Sequence, residues 1–178
     1  MKLPNLSKKN FHKAALVSTI ALGTFAASYS FAAPVSDTAT TSATVVAPIA
    51  ITQAQNMEFG AFAASDGGTV TLTTAGAISA TGPVLTNAAS ATAAEFTVTG
   101  VDDATFSIAI ADDDLTSGDD TMALTTVHDL DASSQDNPGT GTLTGGTQTI
   151  YVGGTLAVAA DQAPGAYTGT VTATVDYN

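Results

Sequence analysis

The sequence predicts an all-β domain, built as an antiparallel sandwich or barrel of about seven to nine short strands. Apolar residues alternate with Thr or Ser over several runs, which is the period of a half-buried strand. Gly and Asp separate these runs, as turn residues do. Beyond the N-terminal region, no segment shows the apolar spacing of an amphipathic helix.

The N-terminal region, residues 1–32, has the pattern of a secretory signal peptide. All four lysines of the chain precede an apolar run at residues 14–27, and small residues follow up to a cleavage site after Ala32. This run is shorter than the roughly 20 apolar residues of a membrane span. We therefore predict a cleaved signal and export through the periplasm to the cell surface or beyond, with no direct membrane binding after cleavage. The rest divides into an N-terminal arm, residues 33–42, and one β-sandwich domain, residues 43–178.

The strands are predicted from alternation and from β-branched residues. The first, at residues 43–51, contains Pro48, which implies a sheet edge or a bulge. The others are predicted at residues 69–74, 95–100, 105–110, 122–130, 147–152 and 167–177. The trio GGT precedes β-type runs, and we expect tight turns or bulges at residues 67–69, 145–147 and 153–155.

The charge distribution excludes several classes of partner. Residues 33–178 contain all 16 Asp and Glu of the chain and no Lys or Arg. Because nothing basic is left to contact phosphate, we predict no binding to nucleic acid or to anionic lipid. The chain also has no cysteine, which excludes thiol catalysis and cysteine-based zinc sites.

Candidate catalytic residues are few. His128 is the one histidine of residues 33–178, no GxSxG motif is present, and no pair of carboxylates is marked by its spacing. We therefore predict no enzyme, no catalytic residue and no cofactor. His128 stands near Asp129 and Asp131, a pattern that we interpret as a solvated strand end and not as a metal site.

The acidic stretch DDDLTSGDD, residues 112–120, raises the question of calcium, which prefers clustered oxygen ligands. Its spacing does not fit an EF-hand loop, because Ser117 stands at the sixth position and Ala123 at the twelfth. We interpret these acids as solvated hairpin tips and assign no metal ligand.

In the last predicted strand, residues 167–177, the residue types of the two faces alternate with high regularity. Threonines occupy most of one face, and the other carries Tyr167, Gly169, Val171, Ala173, Val175 and Tyr177. An apolar face must be covered, and a strand edge must be paired or protected. Either this strand completes a closed sandwich, or its neighbour comes from another molecule, as in donor-strand complementation.

The C-terminal residues resemble the subunits of chaperone–usher pili. These subunits end in an alternating apolar strand with a penultimate tyrosine, here Tyr177, and a glycine fourteen residues from the C-terminus, here Gly165. The resemblance implies an immunoglobulin-like, pilin-like sandwich that is completed by a donor strand. It also implies a partner-binding acceptor strand formed by Gly165, Tyr167, Val171, Ala173, Val175 and Tyr177.

Further stretches resemble a family of exported bacterial β-sandwich domains of uncharacterised function, similar to spore coat protein U-like and fimbrial subunits. These stretches are ATVVAPIAI, MEFGAF, AAEFTVTG, VGGTLAV and PGAYTGTVTATVDY. Many pilins carry a disulfide near the first strand, whereas this chain must hold that strand by packing alone.

The resemblance implies a structural subunit that assembles at the bacterial surface, as a fimbria, pilus or coat. Its partners would be copies of itself or related subunits, with a periplasmic chaperone and an outer-membrane usher during export. The donor would come from the arm and the residues just after it, where Asp37 and Thr41 share a face with Val35, Ala39, Ala43 and Val45. The alternative is a self-complete secreted monomer that acts as an adhesive or as a carbohydrate- or calcium-binding module.

Overall fold

The computed structural model describes residues 33–64, 66–130 and 138–178. The predicted signal peptide, Asp131 and Asp136 lie outside the described residues. The chain falls into two units, Met1–Ser42 and Ala43–Asn178. In the first unit, residues 33–42 are exposed and form no strand. The second unit contains every strand that the structure describes.

Within the described residues, twelve strands and one short 3-10 helix follow one another along the second unit. They are β1 Ala50–Gln55, β2 Ala61–Ala63, β3 Gly68–Leu72, β4 Ile78–Thr81, β5 Val84–Asn87, the helix Ala88–Ser90, β6 Ala94–Thr99, β7 Thr105–Asp112, β8 Leu115–Ser117, β9 Asp120–His128, β10 Gly139–Thr142, β11 Thr147–Val158 and β12 Val171–Tyr177.

The strands form antiparallel sheets. The first sheet has the order β1-β6-β11-β3-β4, with β9 also paired to β11 and β8 paired to β9. The second has the order β10-β7-β12, and β2 and β5 form a separate pair. The predicted all-β antiparallel fold is confirmed. The strand number exceeds the prediction because β2, β4, β5, β8 and β10 have only three or four residues, too few to show an alternation.

The two larger sheets pack through a shared apolar cluster. Strands β6 and β11 of the first sheet supply one side, and β7 of the second sheet supplies the other. On β6 and β7 every second residue is buried, as expected for strands with one face toward a core. This cluster contains Ala94, Phe96, Val98, Phe106, Ile108, Ile110, Leu143, Ile150 and Val152.

A second cluster lies where β3, β9 and β11 of the first sheet meet. Its buried members are Phe59, Val70, Leu72, Met122, Leu124, Leu156 and Val158. Val171 at the start of β12 and Met57 pack against both clusters. The segment before β12 and the segment after β1 therefore lie next to the junction of the two clusters.

The first strand begins later than the sequence predicts. Residues 43–49 form no strand, and β1 starts at Ala50. Pro48 has no N–H to donate to a ladder. The carbonyl oxygen of Ala47 instead accepts a hydrogen bond from the hydroxyl of Tyr177, at 3.1 Å. The prediction of a strand at residues 43–51 is therefore wrong for residues 43–49 and right only for residues 50 and 51.

The GGT at residues 153–155 lies inside β11 and not in a turn, which corrects the prediction there. β11 pairs with β6 up to Val152 and with β3 from Gly154 onward. A side chain on Gly153 would stand 2.4 Å from the carbonyl oxygen of Leu72. A residue without a Cβ atom is needed where the backbone of β3 approaches so closely.

Candidate functional site

One edge of the C-terminal segment is fully paired. β12 pairs with β7 from Val171, opposite Asp112, to Tyr177, opposite Phe106. Just before β12, Thr168 and Thr116 exchange two backbone hydrogen bonds of 2.8 and 3.0 Å. Among the described residues no strand pairs with the opposite edge of β12. That edge therefore offers its backbone groups to a further strand.

The apolar face of β12 is only partly covered. Its inward residues pack on the first core cluster, yet each remains half-buried. On the neighbouring β7, by contrast, Phe106, Ile108 and Ile110 are buried, and Phe106 and Ile108 have no exposed surface. The half-buried residues are Val171, Ala173, Val175 and Tyr177.

Strand β1 presents a second free edge beside β12. β1 pairs with β6, and the described part of the chain supplies no partner for its other edge. β1 and β12 lie close together. The Tyr177 hydroxyl accepts a hydrogen bond from the Val101 amide at 2.8 Å and donates to the Ala47 carbonyl at 3.1 Å. These bonds join the end of β12 to the segment that leads into β1.

At the other end of the same two strands lies an open groove with a volume of about 1120 Å³. One wall is formed by Gln53 and residues 56–64, which follow β1, and the other by residues 161–171, which lead into β12. We call this space the acceptor groove. Core side chains form its floor, among them Phe96, Leu124 and Leu156.

The predicted acceptor residues follow one another along the groove and β12. Gly165, Tyr167 and Val171 line the groove. The Tyr167 hydroxyl donates to the Ala163 carbonyl and accepts from Gln162 Nε2, both at 2.9 Å, which fixes this wall. Ala173, Val175 and Tyr177 continue the same face beyond the groove. A side chain on Gly165 would stand 2.4 Å from Ser117 Oγ, so this wall also packs closely against β8.

The predicted donor residues are exposed. Val35 is 99 % exposed and Val45 96 %, and Ala39 and Ala43 are exposed as well. None of residues 33–49 belongs to a strand. Apolar side chains in a segment without secondary structure are therefore available to a partner.

The wall that follows β1 was not predicted from the sequence. This wall brings Met57, Phe59 and Phe62 to the groove. Met57 and Phe59 are two residues apart, an alternation that is visible in MEFGAF. Because the run is short, it predicts neither a strand nor its position opposite residues 161–171.

His128 is buried, with 4 % of its surface exposed, so the interpretation as a solvated strand end is wrong. Its Nδ1 accepts a hydrogen bond from the Leu130 amide at 3.4 Å. A side chain on Gly139 would stand 2.3 Å from its Cε1 atom. The imidazole therefore occupies the space that the glycine of β10 leaves free. The neighbouring Asp129 accepts a hydrogen bond from the Tyr151 amide.

The aspartates of residues 112–114 are exposed, but they are not simply solvated tips. Asp112 accepts a hydrogen bond from the Thr126 amide at 3.1 Å, and Asp114 accepts one from the Leu124 amide at 3.4 Å. Both amides belong to β9. These carboxylates therefore satisfy backbone donors along an edge of β9.

Within the described ranges, the structure contains no helix long and apolar enough to cross a membrane.

The comparison with protein families identifies a domain that spans most of the second unit. Residues 49–177 match the model of a domain of unknown function, DUF4402. No curated protein matches the chain. The matched residues include β1, both walls of the acceptor groove and β12. The chain belongs to the DUF4402 family.

Proposed function

We propose that this protein is a structural subunit that assembles by donor-strand complementation after export to the bacterial surface. Residues 33–46 of one copy would lie as an extended strand in the acceptor groove and along β12 of the next copy. The observation that carries this proposal is the half-buried face of β12, whose free edge continues into a groove floored by core side chains. A closed sandwich has its last strand covered.

The lengths of the two elements are compatible. The acceptor surface runs from Gly165 to Tyr177, and the donor candidate comprises residues 33–46. An extended chain rises about 3.3 Å per residue, so a donor of this length would reach up to roughly 45 Å, more than the length of β12. One donor segment could therefore cover the whole acceptor surface.

The energy involved is large for a domain of this size. Fully burying a Val side chain contributes about 1.5–3 kcal/mol relative to exposure. Completing the burial of the inward face of β12 would thus add on the order of 5 kcal/mol, against a typical domain stability of about 5–15 kcal/mol. A free subunit would therefore be only marginally stable. Such a subunit would need a periplasmic chaperone that binds the groove until assembly. An outer-membrane usher would be its second partner during export.

Deletion of residues 33–46 tests the proposal. We expect residues 33–178 to form multimers and the deletion variant to remain monomeric, because it keeps the groove and lacks the donor. A synthetic peptide of residues 33–46 should then raise the melting temperature of the deletion variant, since a ligand of the folded state stabilises it. A scrambled peptide of the same composition is the control. Size-exclusion chromatography with light scattering gives the assembly state.

The alternative, a self-complete monomeric adhesive or binding module, makes the opposite forecast. In that case the protein of residues 33–178 stays monomeric. The melting temperature of the deletion variant then lies within about 2 °C of the melting temperature of that protein. The peptide then changes nothing. That set of results would overturn the proposal.

A further inference from the structure

The two surfaces that the proposed assembly joins carry charge of the same sign. Glu58 and Asp161 line the acceptor groove on opposite walls, and both residues are exposed. Asp37 lies in the donor segment, in phase with Val35 and Ala39 on the face that would enter the groove. Docking one copy on another therefore brings a third carboxylate toward two others.

After the predicted cleavage, the α-amino group of Ala33, at the end of the donor segment, is the one cationic group of the donor, and no basic side chain on either copy can neutralise these carboxylates. Residues 33–178 contain no Lys and no Arg. His128 is the one histidine of this range, and it is buried and absent from the groove lining. Like charges that meet at an interface oppose association, and burial of an unpaired carboxylate adds a desolvation penalty.

We propose that ionic strength controls when copies of this protein assemble, through the repulsion of Asp37 by Glu58 and Asp161. This inference rests on the proposed function. At low salt the donor segment of one copy and the groove of another repel each other, so exposed subunits stay apart. At high salt the repulsion is screened, because the distance over which exposed charges interact falls from about 30 Å at 0.01 M to about 3 Å at 1 M.

The test measures the rate of assembly of residues 33–178 by light scattering, from about 10 mM to about 500 mM NaCl. We expect wild type to assemble at least about tenfold faster at the high-salt end. At low salt, Asp37→Asn should reach most of the assembly rate that wild type reaches at high salt. Glu58→Gln should recover part of it, because it removes one of the two groove carboxylates and leaves the backbone pairing of Glu58 with Thr92 unchanged.

Asp119→Asn is the matched control. It removes the same charge at an exposed residue between β8 and β9 that does not line the groove. If net charge alone sets the rate, Asp119→Asn accelerates low-salt assembly as much as Asp37→Asn does, and the inference is overturned. It is also overturned if the wild-type rate does not change with salt. If no variant assembles at any salt concentration, the proposed function itself fails, which is a distinguishable result.

Discussion

Val45→Asp is expected to abolish assembly while the free domain keeps its stability. Val45 is 96 % exposed, so a carboxylate there replaces no contact within the subunit. In the assembled state the same side chain would pack against the half-buried inward face of β12, where an unpaired charge loses its water without gaining a cation. The loss of assembly would therefore arise from the interface alone.

Val46→Asp is the control for this substitution. The two residues are adjacent, and successive side chains of a strand point to opposite faces. Val46 is 58 % exposed and would face away from the core side of β12 when Val45 packs against it. We expect Val46→Asp to assemble nearly as wild type does, as judged by size-exclusion chromatography and negative-stain microscopy. Equal assembly of both variants would show that Val45 does not pack against the inward face of β12.

Val175→Asp is expected both to abolish assembly and to destabilise the free domain by about 1–3 kcal/mol. Val175 is half-buried and packs on the first core cluster, so the charge is unfavourable even before a donor arrives. Its neighbour across the ladder is the fully buried Ile108 of β7. Chemical denaturation of the free domain separates the two effects, because it reports on folding without assembly.

Thr174→Asp provides the comparison on the same strand. Thr174 is exposed on the opposite face of β12. We expect Thr174→Asp to change the free energy of unfolding of the domain by less than about 0.5 kcal/mol, and we expect the variant to assemble. If Thr174→Asp blocks assembly as completely as Val175→Asp, the interface lies on the threonine face and the account of the acceptor groove is wrong.

The alternation of apolar and polar residues predicted those strands that are long enough to show this pattern. The runs at residues 95–100 and 105–110 coincide closely with β6 and β7, where every second residue is buried. The inward face of β12 was also identified, because each residue from Val171 to Tyr177 follows the two-residue period. Alternation is a local property of the chain, so it can be seen within a single segment of the sequence.

Features that depend on distant contacts were not predicted. β1 starts only at Ala50, and the Ala47 carbonyl before it accepts a hydrogen bond from Tyr177, 130 residues away. The burial of His128 depends on Gly139 of β10. The second wall of the groove depends on residues 56–64 folding opposite residues 161–171. Contacts of this kind depend on how the whole domain packs. The alternation of residues within one strand therefore does not predict them.

Cysteine cross-linking between copies tests the central claim most directly. The chain has no cysteine, so any disulfide must join introduced residues. Copies with Val45→Cys would be mixed with copies that carry a cysteine on the inward face of β12, at Val171, Ala173 or Val175 in turn. Neighbouring strands place facing Cβ atoms about 4.5–5.5 Å apart, close enough for a disulfide to form with a small adjustment.

The account predicts that at least one of these mixtures yields a covalent dimer on a non-reducing gel. Mixtures with Thr172→Cys or Thr174→Cys, on the opposite face of β12, should yield none above background. Preparations that assemble but cross-link equally at both faces, or at neither, would contradict the claim that residues 33–46 of one copy lie along β12 of the next.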